Sequence, residues 1–263
     1  MTHKQLHLLL TNDDGIQAPG LYNLWRALKD HFDLTIVAPA HEQSGAGLSI
    51  TTRRPLHIKE IVWEGCTKAY QVDGTPADCI KLAINVICKT HPDMIASGIN
   101  QGANSGRNIL YSGTVAGVIE GTMRGLPGVA FSCDNYEAPN YERAASYVQP
   151  LVSYLLANPL RSGSFLNVTF PDHNGPVQGI KMAKQGRSYW VEDPEERLHP
   201  GGHLYYWLGG QHIRHDEHEE SDTELIKEGY VTAVPIQAQE LTDLVQFEHR
   251  KKAFDRWFIN DVP

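Results

Sequence analysis

The chain places two acids side by side, Asp13-Asp14, directly after a short apolar run and before Gly15. Adjacent carboxylates repel, and burying both without a counter-charge costs several kcal/mol or more. Two readings fit the pair. One is a hard divalent cation, Mg²⁺ or Mn²⁺, which prefers such oxygen ligands. The other is a helix cap or Asx-turn in which the acids simply close the following turn. A second segment with chemical potential is Gly98-Ile99-Asn100-Gln101-Gly102-Ala103-Asn104-Ser105-Gly106, rich in amides and small residues. A third is Tyr111-Ser112-Gly113-Thr114-Val115, which opens a predicted helix. Free N–H groups there, with two hydroxyls and the bare Gly113, could cradle a phosphate; an ordinary Ser cap is the alternative. Ser44 lies between small residues in a further loop.

Those segments are brought together by strand–helix alternation. Residues 6–11 form an apolar strand, and Leu21, Leu24, Trp25 and Leu28 then recur at helical spacing. Residues 34–38 read as the next strand, closed by Pro39. Thr75-Pro76 opens a helix with Ile80, Ile84 and Ile87 on one face. Strands are predicted over 94–97, 128–132 and 165–170, and helices over 112–124 and 141–157. This pattern specifies an α/β fold, a parallel sheet with helices on both faces. In such sheets ligands bind beyond the carboxyl ends of the strands, where the acid pair, the Ser44 loop and the Asn loop all fall.

Residues 1–179 read as the catalytic core. Residues 180–263 read as an appendage on the same domain, with strand pieces over 180–183, 203–208 and 230–235. Short helices are predicted over 221–227 and 249–259. His212, His215 and His218 sit among acids in a polar stretch that reads as solvated loop rather than metal site.

With 263 residues, 41% hydrophobic and 21% charged, the chain can bury a full core. A net charge of -8 and the absence of a Lys/Arg run argue against polymeric nucleic acid as a partner. No apolar run reaches bilayer length, so no membrane association is expected, and the N-terminus lacks a signal-peptide pattern. Cys66, Cys79, Cys88 and Cys133 form no Cys-x-x-Cys pair and read as reduced thiols of a cytoplasmic protein. Phosphate-loop, nucleophile-elbow, zincin and dinucleotide fingerprints are all absent.

At these same residues the chain resembles the SurE family of survival proteins, divalent-metal-dependent 5′/3′-nucleotidases. The matching segments are Leu8-Leu9-Leu10-Thr11-Asn12-Asp13-Asp14-Gly15, Ala18-Pro19-Gly20, Gln43-Ser44-Gly45, Gly74-Thr75-Pro76-Ala77-Asp78-Cys79, Ser97-Gly98-Ile99-Asn100-Gln101-Gly102 and Tyr111-Ser112-Gly113-Thr114-Val115. Leu166-Asn167-Val168, Phe170-Pro171, Tyr206-Trp207, Ser221-Asp222 and Gly229-Tyr230-Val231 follow in order. The resemblance implies Asp13, Asp14, Ser44 and Asn100 as ligands of one divalent cation (Mg, Mn or Co), and Asn104, Ser112, Gly113 and Thr114 as the phosphate group's partners. It assigns catalysis to Asp13, Asp14, Asn104, Ser112 and Thr114. It further implies a Rossmann-like core, a protruding β-hairpin, an exchanged C-terminal segment building a homodimer or homotetramer, and nucleoside monophosphates as substrates. The 3′-monophosphates and short polyphosphate are further candidate substrates. Where the family commonly has Asp-Arg, this chain has Ala40-His41. A nucleotide sensor without turnover, and covalent catalysis through Asp13, are the competing readings.

Overall fold

The computed structural model describes residues 5–172, 175–213 and 215–258. Ile259, the expected end of the last helix, lies outside them, as do the side chains of Cys66 and His212.

Hydrophobic runs become buried strands. β1 (His7–Thr11) carries Leu8, Leu9 and Leu10, all without solvent exposure. Leu8 and Leu10 pack into one core and Leu9 into another, the period-two alternation of a strand covered on both faces. β2 (Asp33–Pro39), β4 (Lys68–Val72), β5 (Met94–Gln101), β6 (Gly128–Cys133) and β7 (Ser164–Phe170) complete the parallel centre. β3 (Ile58–Ile61) pairs antiparallel with β4 at one edge; β13 (Val231–Gln237) and β8 (Ile180–Met182) extend the other. The nine strands run β3-β4-β2-β1-β5-β6-β7-β13-β8. The chain thus works outward from β1 in one direction, returns to β5, and works outward in the other. β1 and β5 flank the switch point, where ligands bind in open α/β sheets.

The helices cover both faces. α1 (Pro19–Leu28) and α4 (Tyr141–Ala157) pack on one side; α2 (Pro76–Leu82) and α3 (Gly113–Thr122) pack on the other. Thr75 caps α2 in a full capping box with Asp78, so Pro76 opens that helix as expected. α1 approaches the sheet through Gly20, where a Cβ would stand 1.9 Å from the Ile99 carbonyl oxygen.

Several expectations need correction. Residues 58–61 and 68–72 form strands that the hydrophobic pattern does not reveal, because side chains of β3 and β4 remain partly exposed. β5 runs on to Gln101, past an irregularity between Ser97 and Asn100 where pairing with β6 resumes at Ser132. Asn100 therefore projects from the strand itself rather than from the loop after it. α2 stops at Leu82 and continues as a wider turn over Ala83–Ile87.

Beyond β8, β9 (Tyr189–Val191) pairs with β12 (Gln211–Ile213), and β10 (Glu195–Leu198) with β11 (Leu204–Trp207), giving a long antiparallel hairpin. α5 (Asp222–Lys227) returns the chain to β13. α6 (Leu244–Phe258) begins earlier than its sequence pattern suggests and buries no residue.

Gly20→Ala is expected to destabilise the fold by about 1–3 kcal/mol, the cost of forcing apart a close-packed helix and strand. Urea unfolding checks this; a midpoint equal to that of the parent would contradict the α1–β5 packing described.

Candidate metal and phosphate site

β1 ends in Thr11, so Asn12, Asp13 and Asp14 emerge at the switch point. The Asn12 amide donates to the Gly15 carbonyl at 2.9 Å, closing the turn that turns both acids inward. Asp13 is only 3% exposed. Burial raises its pKa, against the Thr114 hydroxyl and the backbone N–H groups of Thr114 and Gly113, which favour the ionised form. Burial, joined by the charge of Asp13, pushes Asp14 up to about 7, and Glu42 adds to the same negative field. Among the described residues no Lys or Arg offsets either acid.

The other predicted residues gather around this pair. The Thr114 hydroxyl reaches Asp13 Oδ1 and lies 3.1 Å from Asn100 Oδ1, joining β1, β5 and α3 through one buried side chain. Asn100 Nδ2 donates to the Gly102 carbonyl at 2.7 Å, which leaves its oxygen facing Thr114. Gln101 N–H lies 3.4 Å from Asp14 Oδ2. α3 comes this close because residue 113 is glycine: a Cβ there would meet Asp13 Cβ at 2.6 Å and Oδ2 at 2.8 Å. The loop after β2 folds over the acids, with Gln43 N–H donating to the Asp13 carbonyl at 2.7 Å. Ser44 is exposed there, and its hydroxyl donates to Glu42 Oε1 at 2.7 Å, which leaves its lone pairs free.

Ser112 caps α3, accepting from Val115 N–H at 3.1 Å. Asn104 is buried; its amide donates to Ser132 Oγ at 2.8 Å and its carbonyl accepts from Asn167 at 3.0 Å. A cavity of about 800 Å³ opens over Asp13, Ser44, Asn100, Asn104 and Ser112. Thr114 lies beneath it, fully buried. The cavity wall also takes in Tyr111, from the segment that opens α3, and Tyr136, Trp190 and Lys227, which are distant in sequence and belong to none of the segments singled out for their chemistry. Tyr141, on α4, was equally invisible; burial and the Asp14 charge raise its pKa, so its phenol stays protonated.

The donor set suits a hard cation. Two uncompensated carboxylates supply charge, and neutral oxygens of Asn100 and Ser44 lie at the same cavity. Among the described residues no three His, Cys, Asp or Glu converge to hold a metal. Cys79, Cys88 and Cys133 are free thiols, and burial pushes Cys133 up to about 12, which keeps it inert. Among the described residues no helix is long and apolar enough to cross a membrane.

Residues 8–192 match the family described as Survival protein SurE. The chain is 47% identical to the 5′-nucleotidase SurE of Protochlamydia amoebophila (strain UWE25) over 99% of this chain and 100% of that protein. It is 39% identical to the 5′-nucleotidase SurE of Campylobacter lari (strain RM2100 / D67 / ATCC BAA-1060) over 93% and 97%. The crystal structure of the SurE protein from Aquifex aeolicus superposes with a TM-score of 0.82 at 35% identity, covering 95% of this chain and 100% of that one.

The acid pair makes a stability prediction for metal-free protein. The folded-state pKa of Asp14, about 7, lies above its ordinary 3.8, so the unfolded chain releases this proton first. Between those values the folded state binds more protons, and stability falls as pH rises. In chelator at pH 8, Asp14→Asn should therefore melt about 2–5 °C above the parent, while added Mn²⁺ should raise only the parent. Thermal melts decide; a less stable Asp14→Asn in chelator would contradict the uncompensated charge.

Proposed function

Because the chain belongs to the SurE family, we propose that it is a 5′-nucleotidase that hydrolyses nucleoside monophosphates with the help of one divalent cation. The observation that carries this reading is the pair of adjacent carboxylates at the switch point, uncompensated by any cation among the described residues, with Asp13 lining a cavity large enough for a nucleotide.

Asp13, Asp14, Ser44 and Asn100 are the residues that would hold Mg²⁺, Mn²⁺ or Co²⁺. Bound there, the cation supplies positive charge to polarise a phosphoryl oxygen and to acidify an attacking water. Thr114 orients the set, since its hydroxyl lies between Asp13 and Asn100. Ser112 uses a lone pair for the helix cap, and its O–H remains free to donate to a phosphate in the cavity. Asn104 lines the same wall, its amide anchored on Ser132. Hydrogen bonds of this kind accelerate the reaction when they strengthen as charge shifts in the transition state. A covalent route through Asp13 has less support, because Thr114 occupies its Oδ1 and Gly113 packs against Oδ2.

A nucleoside as leaving group is supported by the cavity's aromatic rim of Tyr111, Tyr136 and Trp190, on which a base of any identity can stack. The 3′-monophosphates and short polyphosphate fit the same phosphate chemistry as secondary substrates. We further propose a homodimer or homotetramer, because Leu198, Tyr206 and Trp207 of the hairpin and Phe247, Phe254 and Trp257 of α6 are exposed in one chain. Exchange of the C-terminal segment would cover them. The free thiols of the described cysteines fit a reducing, cytoplasmic setting.

Phosphate release from a panel of phosphomonoesters tests the activity. Nucleoside 5′-monophosphates should be turned over, chelator should abolish turnover and Mn²⁺ should restore it. Ser112→Ala should lower kcat by about a hundredfold. A cap alone would instead cost about 1 kcal/mol of stability and leave full activity. Metal-independent turnover, or a fully active Ser112→Ala, would refute the respective assignment.

A further inference from the structure

Asp222 is 1% exposed, yet among the described residues no cation offsets its carboxyl. A buried carboxylate left without a counter-ion is costly unless its lone pairs are filled. Here they are filled by backbone N–H groups from three separate segments. Gly106 donates at 3.1 Å, Gly186 at 2.8 Å, and Thr223 at 2.8 Å. Burial still pushes the carboxyl up to about 6, with the nearby Glu217 adding to the rise. Gly106 is the first residue of the short helix Gly106–Tyr111, which runs directly into Ser112. The two glycines are what let the backbones approach. A Cβ on Gly106 would lie 2.2 Å from the Ser188 carbonyl oxygen, and one on Gly186 would lie 2.8 Å from Asp222 Oδ1. Two further bonds reinforce the junction: Gln185 Nε2 donates to the Gly106 carbonyl, and Arg107 N–H donates to Ser188 O at 2.8 Å.

The junction also closes the cavity. Asn104, Ser105 and Asn108 line it on one side, and Thr223, Ile226 and Lys227 on the other. Asn104 is held independently from below by Ser132 and Asn167. Gly106 has no such support from the sheet.

We propose that Asp222 is a positioning residue for phosphate binding: by gathering the amides of Gly106, Gly186 and Thr223 it fixes where the segment leading to Ser112 starts, and so where Ser112 meets the phosphate. This rests on the nucleotidase reading for its substrate, but the clamp itself is independent of the metal ligands. An Asn at this position keeps the size but loses one acceptor and turns an NH₂ toward a backbone N–H.

The test compares the parent, Asp222→Asn and Leu225→Ala below their melting temperatures. Leu225 is a buried residue of the same helix that packs with Ala183 and Val234 and gives no side-chain bond to the clamp, so it controls for lost stability of α5. Asp222→Asn should raise KM for a nucleoside 5′-monophosphate, and weaken inorganic phosphate binding in titration calorimetry, by roughly tenfold or more. Its Mn²⁺ affinity should stay within about twofold of the parent, because the metal set sits on β1 and β5. Leu225→Ala should leave all three values unchanged. If Asp222→Asn does not fold, Gln185→Ala should shift KM and phosphate affinity in the same direction by less. Parent-like phosphate affinity in Asp222→Asn, or equal losses in Leu225→Ala, would overturn the proposal. If the parent turned over no nucleotide, the functional reading would fail while the phosphate titration would still judge the clamp.

Discussion

Two carboxylates side by side at the end of a buried strand are the constraint around which this molecule is arranged. Asp13 and Asp14 raise each other's cost of ionisation, and burial raises it further. Among the described residues no Lys or Arg relieves this. The structure surrounds Asp13 with a hydroxyl and two helix N–H groups, enough to orient the carboxylate but not to neutralise the pair. Such an arrangement has the charge and the hard oxygen donors that the proposed divalent cation would need. The rest follows geometrically. β1 must lie centrally for its end to be buried, α3 must present a glycine so that its N-terminus can touch Asp13, and β5 must run far enough for Asn100 to share Thr114.

Much of this was legible in the chain. The run Leu8 to Leu10 is continuous because both faces of β1 are covered, and Pro19, Thr75-Pro76 and Ser112 mark helix starts by their own backbone chemistry. The convergence of three loops on one edge followed from the alternation of strands and helices. What stayed hidden was structure with no periodic signal. β4 is half-exposed and reads Lys-Ala-Tyr-Gln-Val, so nothing in its pattern separates it from loop. Asn100 belongs to a strand interrupted by Gly98, and only pairing with β6 restores it. The aromatic rim of the cavity is assembled from remote segments, which no local spacing encodes.

Residues 180–258 play two parts. β8, α5 and β13 are core: they widen the sheet and bring Asp222 to the Gly106 N–H. The hairpin and α6 are different, since Leu198, Tyr206, Trp207, Phe247, Phe254 and Trp257 stay exposed in one chain. α6 was misplaced by five residues at its start for that reason. No residue of α6 is buried in one chain, so the buried face that normally defines a helix in sequence is missing.

As proposed above, the acid pair would form a cation site that Asn100 and Ser44 complete. Crystals grown with Mn²⁺ and measured for anomalous scattering test this most directly. A single strong peak bounded by Asp13, Asp14, Ser44 and Asn100 is expected at the floor of the cavity. An empty floor, or Mn²⁺ bound only elsewhere on the molecule, would contradict it.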